Sequence, residues 1–477
     1  MRKRKKIIFA QPTGYNWIPG ERDITRDVNV LSPVGLCSMA SWLSTRGIES
    51  RILDGYAHAM PLQAWVDIIR RERPDVLGIS STTSSFLEAV RLAEAVKRAE
   101  PSVTTVFGGV HVSSLGERCL RDFPAIDLGV VGEGEEAVAE IIERDGRHLD
   151  DVPGILHRRN GDVLFTGERT RMLELDALPF PAYELLRGFP GYYSLPIFSY
   201  PSRPTASVIS SRGCPYQCSY CDRSVFKKGF RYNSPEYMHA HLAYLRRRWG
   251  IRHITFYDDI FTANRRRIEV FASLMADRPP GVTFSCAARA NEVDEDLARL
   301  LRAAGCWQIS FGVESGDADL VRVHRKRSDL DDVRDKVALL KKHGIRVKGL
   351  FIVGLPGETE ETIGRTIDYA CSNDFDEINV SKFTPFPGAP IYRSIRELGE
   401  FDEDWPRMNL LNFVFIPKGL TRERIESLYR EFIRRFYQRP TIMARYARLM
   451  VRSPSNLATI ARSYPRFLRY LLWVRRP

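Results

Sequence analysis

Across 477 residues the sequence has no run of about 20 consecutive apolar residues, so nothing in it reads as a membrane-spanning helix. The first apolar stretch, Ile7-Ile8-Phe9-Ala10, follows the basic Met1-Arg2-Lys3-Arg4-Lys5-Lys6 and ends too soon for a signal-peptide core. It predicts a first buried strand. Cysteine is scarce: of eight, five (Cys37, Cys119, Cys286, Cys306 and Cys371) are scattered, most in apolar surroundings. That usage excludes a disulfide scaffold and predicts a reducing, cytoplasmic setting. No G-x-G-x-x-G follows the first strand, which disfavours a nicotinamide cofactor. Acidic residues are absent from Pro440 to Pro477, where eight arginines fall, so the formal charge of +12 describes a tail more than a catalytic body. At this length two or three domains are expected.

What the chain does have is Ser211-Arg212-Gly213-Cys214-Pro215-Tyr216-Gln217-Cys218-Ser219-Tyr220-Cys221-Asp222-Arg223. Cys214, Cys218 and Cys221 stand at C-x3-C-x2-C, close enough for one loop to wrap one metal centre, and thiolates are the soft ligands of iron–sulfur clusters. No further cysteine lies nearby, so the simplest arithmetic is a [4Fe–4S] cluster with one iron open. A zinc site, or a cysteine-rich loop without metal, are the alternatives the spacing leaves standing.

Residues 1–150 alternate strand and helix signals. Strands are expected at Lys6–Ala10, Ser50–Asp54, Val76–Ser80, Val103–Phe107 and Leu128–Val131, with helices at Val34–Arg46, Leu62–Arg71, Phe86–Glu100, Leu115–Phe123 and Glu135–Glu143. Short apolar strands joined by such helices make an open, doubly wound parallel sheet, Rossmann-like in class. Ligands there bind beyond the strand carboxyl ends. The loops in question are 11–20, Asp54–His58, Ser80–Ser85, Gly108–Ser114 and Gly132–Gly134. Ser80, Ser81, Thr82 and Thr83 can donate many hydrogen bonds, and Gly108-Gly109 allows close backbone approach. Turn-making and helix capping explain the same residues without a ligand.

Residues 151–204 read as an ordered linker, dense in proline, glycine and aromatics, with a short hairpin around Asn160-Gly161. From 205 to 400 strand–helix repetition resumes. Six strands, beginning at Val208–Ser210 and ending at Glu377–Val380, predict a partial or full α/β (TIM-like) barrel with its chemistry at the strand carboxyl ends. Those ends carry Asp258 and Asp259, Arg289, Glu314 and Ser315, and Gly354 of Gly354-Leu355-Pro356-Gly357-Glu358-Thr359. Taken singly, each is also an ordinary cap or surface ion pair.

The cysteine spacing, Tyr220 before the third cysteine and Arg212-Gly213 before the first resemble the radical S-adenosylmethionine (SAM) superfamily. The resemblance implies that the three cysteines hold the cluster, that SAM chelates the fourth iron, and that Tyr220 lies by the adenine. It implies that Asp258, Asp259, Arg289, Glu314, Ser315 and Gly354 bind SAM, whose reductive cleavage yields a 5'-deoxyadenosyl radical. A doubly wound domain placed before such a core resembles the cobalamin (B12)-binding class, which includes anaerobic Mg-protoporphyrin ester cyclases, hopanoid-type enzymes and C-methyltransferases. On that resemblance Ser80, Ser81, Thr82, Thr83, Gly108, Gly109, His111, Gly132, Glu133 and Gly134 line the corrin or its nucleotide tail. The signature Asp-x-His-x-x-Gly is missing: after Asp54 and Gly55 comes Tyr56 where the cobalt-binding histidine would stand, and His58 is two positions late.

Residues 401–477 are expected to be mainly helical and basic. Thr421 reads as the cap of a helix to Tyr437 that exposes Phe432, Phe436 and Tyr437. Beyond it Ile442, Tyr446, Leu449, Leu457, Ile460, Tyr464, Phe467, Leu468, Leu471, Leu472 and Trp473 alternate with arginines. This pattern suits peripheral contact with an anionic inner membrane face, or packing on the barrel with the arginines in water. The expectation is a cobalamin-dependent radical SAM enzyme that C-methylates a small or lipidic substrate and draws electrons from an external flavodoxin- or ferredoxin-type donor. The rivals are non-methylating cyclisation or ring rearrangement, RNA modification, and a non-enzymatic cobalamin or redox sensor. With no appended RNA-binding module and no second cysteine triplet, the sequence argues against a nucleic-acid partner.

Overall fold

A computed structural model of the chain describes residues 5–13, 30–170, 172–193, 195, 198–227, 229–326 and 328–452. The expected positions from Leu457 to Trp473, and most of the 11–20 loop, lie outside the described residues. No helix among the described residues is long and apolar enough to cross a membrane.

The first sheet contains β1 (Lys6–Gln11), β2 (Glu49–Asp54), β3 (Val76–Ser80), β4 (Thr104–Gly108), β5 (Leu128–Val130), β6 (Ile155–Arg159) and β7 (Asp162–Phe165). Its order is β2-β1-β3-β4-β5-β6-β7, parallel through β5 and antiparallel beyond. Side chains alternate across a strand, and the burial follows: Ile7 and Phe9 enter one apolar core, Ile8 and Ala10 the other. Gly78 sits opposite Phe9 in the register because a Cβ there would meet the Phe9 ring at 2.9 Å. The chain reverses direction across the sheet between β1 and β3, the crevice where open α/β sheets take ligands.

Two details differ from expectation. The hairpin assigned to the linker is β6–β7, which completes this sheet, since β5 offers an unpaired edge and Ile155 and Leu156 are fully buried against it. The helix expected over Leu115–Phe123 is two short helices, Val110–Leu115 and Glu117–Asp122, broken at Gly116, whose φ of 56° suits glycine.

The second sheet is β8 (Thr205–Val208), β11 (His253–Phe256), β12 (Thr283–Ala288), β13 (Cys306–Glu314), β14 (Arg346–Val353) and β15 (Glu377–Lys382), all parallel and in chain order. β8 and β15 do not pair, so this is a partial barrel. Between β8 and β11 a two-stranded antiparallel ribbon, β9 (Ser211–Arg212) with β10 (Arg231–Tyr232), closes the base of the cysteine loop. The connector between the sheets is buried: Tyr183 is wholly enclosed and its hydroxyl donates to the Ser207 carbonyl on β8 at 2.8 Å. One apolar core therefore runs from Ile7 through Tyr183 to Phe436.

The C-terminal region begins with a ribbon, β16 (Gly399–Phe401) against β17 (Phe415–Pro417), so it is not helical throughout. Thr421 does cap the helix Arg422–Tyr437, accepting from the Arg424 amide. The exposed aromatics are a correction. Ile425, Leu428, Phe432 and Phe436 recur at helical spacing and are buried, with Phe432 against Phe351 at 5.4 Å between centroids. The Tyr437 hydroxyl donates inward to the Ile378 carbonyl at 2.7 Å, while Arg435 pairs with Asp368 at 2.8 Å. This helix thus closes the barrel side. Phe432→Ala is expected to destabilise the protein by about 3 to 5 kcal/mol, as large-to-small changes of a packed aromatic do. Urea unfolding of the purified variant checks it.

Candidate functional site

The cysteine loop leaves β8 and is held at its root by buried charge. Asp258 accepts from the Ser210 amide at 2.6 Å, the Ser210 hydroxyl at 2.6 Å and the Ser211 hydroxyl at 2.8 Å. Arg267, only 3% exposed, donates to the Ser210 carbonyl at 2.9 Å and the Asn233 carbonyl at 3.0 Å. Burial pushes the Asp258 carboxyl up, opposed by Arg267 and the serines. Every hydrogen bond of Asp258 goes to the loop root, which makes it a brace.

Its neighbour Asp259 faces the other way. It accepts from the Gly213 amide and acts electrostatically on Cys214 and Cys221, its own carboxyl raised by burial and then by Asp258. Cys218 is buried and Cys214 half-buried. Cys221 keeps solvent contact but sits in a recess, where the surrounding protein, then Cys218 and Asp259, push its thiol up to about 12. Clustered thiols and carboxyls that resist ionising are what a cationic centre would relieve.

Among the described residues no three His, Cys, Asp or Glu side chains converge tightly enough for a single metal ion. Three thiols grouped in one recess beside Asp259 are the soft donor set that a [4Fe–4S] cluster takes.

Around the recess the predicted residues divide. The Tyr220 hydroxyl is buried without a partner, and the ring packs against the core of Leu355, Phe383 and Phe415. Glu314 ends β13 with φ 69°, where the register to β14 shifts, and accepts from Lys326 Nζ at 2.6 Å. A Cβ on Gly312 would lie 2.5 Å from Lys326 Nζ and 2.6 Å from Glu314 Oε1, so the glycine admits this pair over the strand end. Arg289 donates to the Lys326 carbonyl and stacks 3.8 Å over the Tyr216 ring. Ser315 is fully buried, 3.0 Å from the Thr366 hydroxyl and accepting from the Asp317 amide at 3.1 Å, which makes it a loop brace. Gly354, at φ 95°, donates to Glu358 Oε2 at 2.5 Å, as does Leu355 at 3.1 Å.

Sequence reasoning missed Lys326 and His324. His324 Nε2 donates to the Pro356 carbonyl at 2.9 Å, which leaves Nδ1 to accept from the Ser219 hydroxyl at 2.8 Å. Burial lowers its pKa and keeps it neutral in this bridging role. Asp222, next to Cys221, accepts from the Ser114 hydroxyl at 3.1 Å, the Ser224 amide at 2.8 Å and the Gly388 amide at 3.2 Å. A Cβ at Gly388 would lie 2.3 Å from Asp222 Oδ1.

A cavity of about 270 Å³ opens between the sheets. One wall contains Ser80, Gly108, Gly109, Gly132, Glu133 and Gly134, at the strand ends of the first sheet. The opposite wall contains Ser211, Arg212, Val225 and Phe226 of the cysteine loop, with Asn233 and His241. A Cβ on Gly108 would meet nothing of the chain nearer than 3.9 Å, and one on Gly132 nothing nearer than 3.5 Å. Nothing in the packing requires Gly108 to lack a side chain, so its bareness fits a ligand lying on it.

The other corrin-side expectations do not line this cavity. Thr82 and Ser85 form a turn before helix Phe86–Ala99, while Ser81 and Thr83 are buried. Asp54 accepts from the Tyr56 and Ala57 amides at 2.9 and 3.3 Å. His58 Nε2 donates to the Arg187 carbonyl at 2.8 Å. His111 is enclosed by Phe86 and Trp405, centroids at 4.1 and 4.6 Å, and burial lowers it to about 3. No histidine therefore occupies the signature position, and the cradle fits a cobalamin held without one.

Burial lifts Glu358 to about 8 from an ordinary value near 4.5. A raised folded-state pKa means the native protein binds the extra proton, so this contribution to stability is full below pH 4.5 and is lost as pH rises through about 8. Glu358→Gln, which keeps an acceptor for the Gly354 and Leu355 amides, is expected to flatten the fall in Tm between pH 5 and 8. Thermal melts across that range read the difference.

The sequence profile of the Radical SAM superfamily matches residues 208–370, and that of the B12 binding domain residues 24–142. An uncharacterized methyltransferase of Pyrococcus horikoshii is 30% identical over 92% of this chain and 94% of its own length. The anaerobic magnesium-protoporphyrin IX monomethyl ester cyclase of Rubrivivax gelatinosus is 27% identical over 90% of this chain and 77% of its own. Among solved structures, the radical S-adenosylmethionine methyltransferase TsrM of Kitasatospora setae, with cobalamin and a [4Fe-4S] cluster bound, shares the fold with a TM-score of 0.67. It is 19% identical and covers 83% of this chain and 78% of its own. The chain belongs to the B12-binding radical SAM enzymes, whose cofactors are a [4Fe–4S] cluster, S-adenosylmethionine and cobalamin.

Proposed function

We propose that the enzyme transfers a methyl group to an unactivated carbon of a small or lipidic substrate. The observation that carries this reading is the composition of the cavity, whose walls come from the glycine-rich strand ends of the first sheet and from the cysteine loop of the second. Radical and methyl-transfer chemistry both require reacting atoms near contact distance. When bound, the three cofactors supply a low-potential electron, a hydrogen-abstracting adenosyl radical and a transferable methyl group.

The chain's residues do the rest. Cys214, Cys218 and Cys221 would hold the cluster. Asp259 and Glu314 offer carboxylates to the amino group of SAM, Lys326 offers an ammonium to its carboxylate, and Tyr220 offers an aromatic wall to the adenine. Ser80, Gly108, Gly109, Gly132 and Gly134 would seat cobalamin, and the apolar packing of Tyr220, Leu355 and Phe383 excludes water beside the recess. Methyl transfer is favoured over cyclisation by the higher identity to the methyltransferase relative, 30% against 27% for the cyclase. An external flavodoxin- or ferredoxin-type donor and a cytoplasmic setting belong to the same reading. So does peripheral membrane contact through the basic C-terminal segment, in whose first helix, Pro440–Arg452, Met443 and Val451 are exposed.

Anaerobic reconstitution with iron, sulfide, hydroxocobalamin, SAM and a reductant, supplied with lipid and natural-product precursors, tests the reaction. S-adenosylhomocysteine together with 5'-deoxyadenosine, and a product heavier by one methylene, are expected. 5'-Deoxyadenosine alone with an unchanged carbon count would establish cyclisation or rearrangement instead. Gly108→Leu is expected to fold normally, because the chain leaves room for the side chain, and to weaken hydroxocobalamin binding at least about tenfold (roughly 1.4 kcal/mol) in an absorbance titration.

A further inference from the structure

The cysteine loop is fastened to the first sheet at both its stem and its tip. At the stem, Arg212 and Arg231 face one another across the β9–β10 ribbon. Arg212 donates to Glu135 Oε1 at 2.5 Å and to Glu133 Oε2, while Arg231 donates to Glu133 Oε1 and to the Leu173 carbonyl at 2.8 Å. Side-chain exposure is 13% for Arg212, 8% for Glu133 and 6% for Glu135, so these charges have little water to fall back on. At the tip, Asp222 and Ser224 bond Ser114 of helix Val110–Leu115, which starts directly after Gly109. Glu133, Glu135, Arg212, Val225 and Phe226 are themselves parts of the cavity wall. Whatever fills the cavity touches the clamp and the loop together.

We propose that Arg212, Glu133 and Glu135 are positioning residues that couple occupancy of this cavity by cobalamin to retention of the iron–sulfur cluster. The proposal rests on the cofactor assignment made above. With the cluster in place the loop is fixed, Arg212 is held on the two glutamates, and the far wall is complete before cobalamin arrives. Without it the loop loses one of its restraints, and cobalamin must also order that wall. Linkage makes the effect reciprocal at equilibrium, so the cluster must be held more tightly with cobalamin bound as cobalamin is held more tightly with the cluster present. Two arginines sharing two carboxylates give a clamp of defined geometry, because planar guanidinium groups bond carboxylates in fixed directions.

The test uses the full chain under anaerobic conditions. Hydroxocobalamin affinity is measured by absorbance titration with the cluster present and after its removal by an iron chelator. The rate of cluster loss to the chelator is then followed with and without hydroxocobalamin. In the wild-type protein about tenfold tighter binding with the cluster is expected, together with slower loss of the cluster when cobalamin is bound. In Arg212→Gln and Glu135→Gln that ratio should fall toward one, beyond any change in affinity common to both states. A fold defect alone would lower both affinities without changing their ratio. A wild-type ratio within twofold of one, or an undiminished ratio in a folded Arg212→Gln, overturns the coupling and leaves the functional reading intact. Failure of the wild-type chain to bind cobalamin or to carry a cluster overturns both. If Arg212→Gln does not fold, Glu135→Gln carries the same comparison.

Discussion

The carboxyl ends of two parallel sheets must face one another for a cluster loop and a corrin cradle to share one cavity, and a continuous apolar core imposes that arrangement. It runs from Ile7 in β1, through the enclosed Tyr183 of the connector, to Phe436 beside the barrel. A flexible polar linker would have let the two edges separate. A connector that buries Tyr183 and Tyr193 makes separation cost the burial of those rings, at roughly 1.5 to 3 kcal/mol each.

On that frame the cysteine loop is anchored at separate points. Asp258 and Arg267 hold its root, His324 ties Ser219 to the Pro356 carbonyl, and Asp222 joins its end to Ser114 and Gly388. Asp258, Arg267 and His324 are buried polar groups that would be costly to leave unpaired, so they fix the loop's root and the place of Ser219. What gathers around the recess, namely the three thiols, Asp259 and Tyr220, is the set that a cluster and its ligand would engage.

The architecture was legible because it rests on periodicity. Strands such as Val76–Ser80 and helices such as Glu135–Glu143 fall where their apolar spacing puts them, and the cysteine triplet stands out by spacing, though its ligand came only from the family resemblance. The roles of individual polar residues were not legible. Asp258 and Asp259 are adjacent and chemically identical, and only the turn after β11 decides that one braces and the other faces the cysteines. His324 is defined by partners 105 and 32 residues away, which no local pattern reveals. Phe432 and Phe436 are a different case. Their spacing with Ile425 and Leu428 does mark a buried stripe, but the neighbouring arginines suggested a surface. Likewise the hydroxyl-rich 80–85 segment divides, Ser80 reaching the cavity while Thr82 and Ser85 serve a turn.

The close approach of Gly388 to Asp222 has an evolutionary side. Any side chain at 388 would enter the space of the Asp222 carboxylate, so the first can enlarge only after the second has shortened or turned away. The two positions, 166 residues apart in sequence, are thus expected to drift as one unit among descendants of this chain. A lineage in which position 388 alone had enlarged would need a differently folded turn after β15.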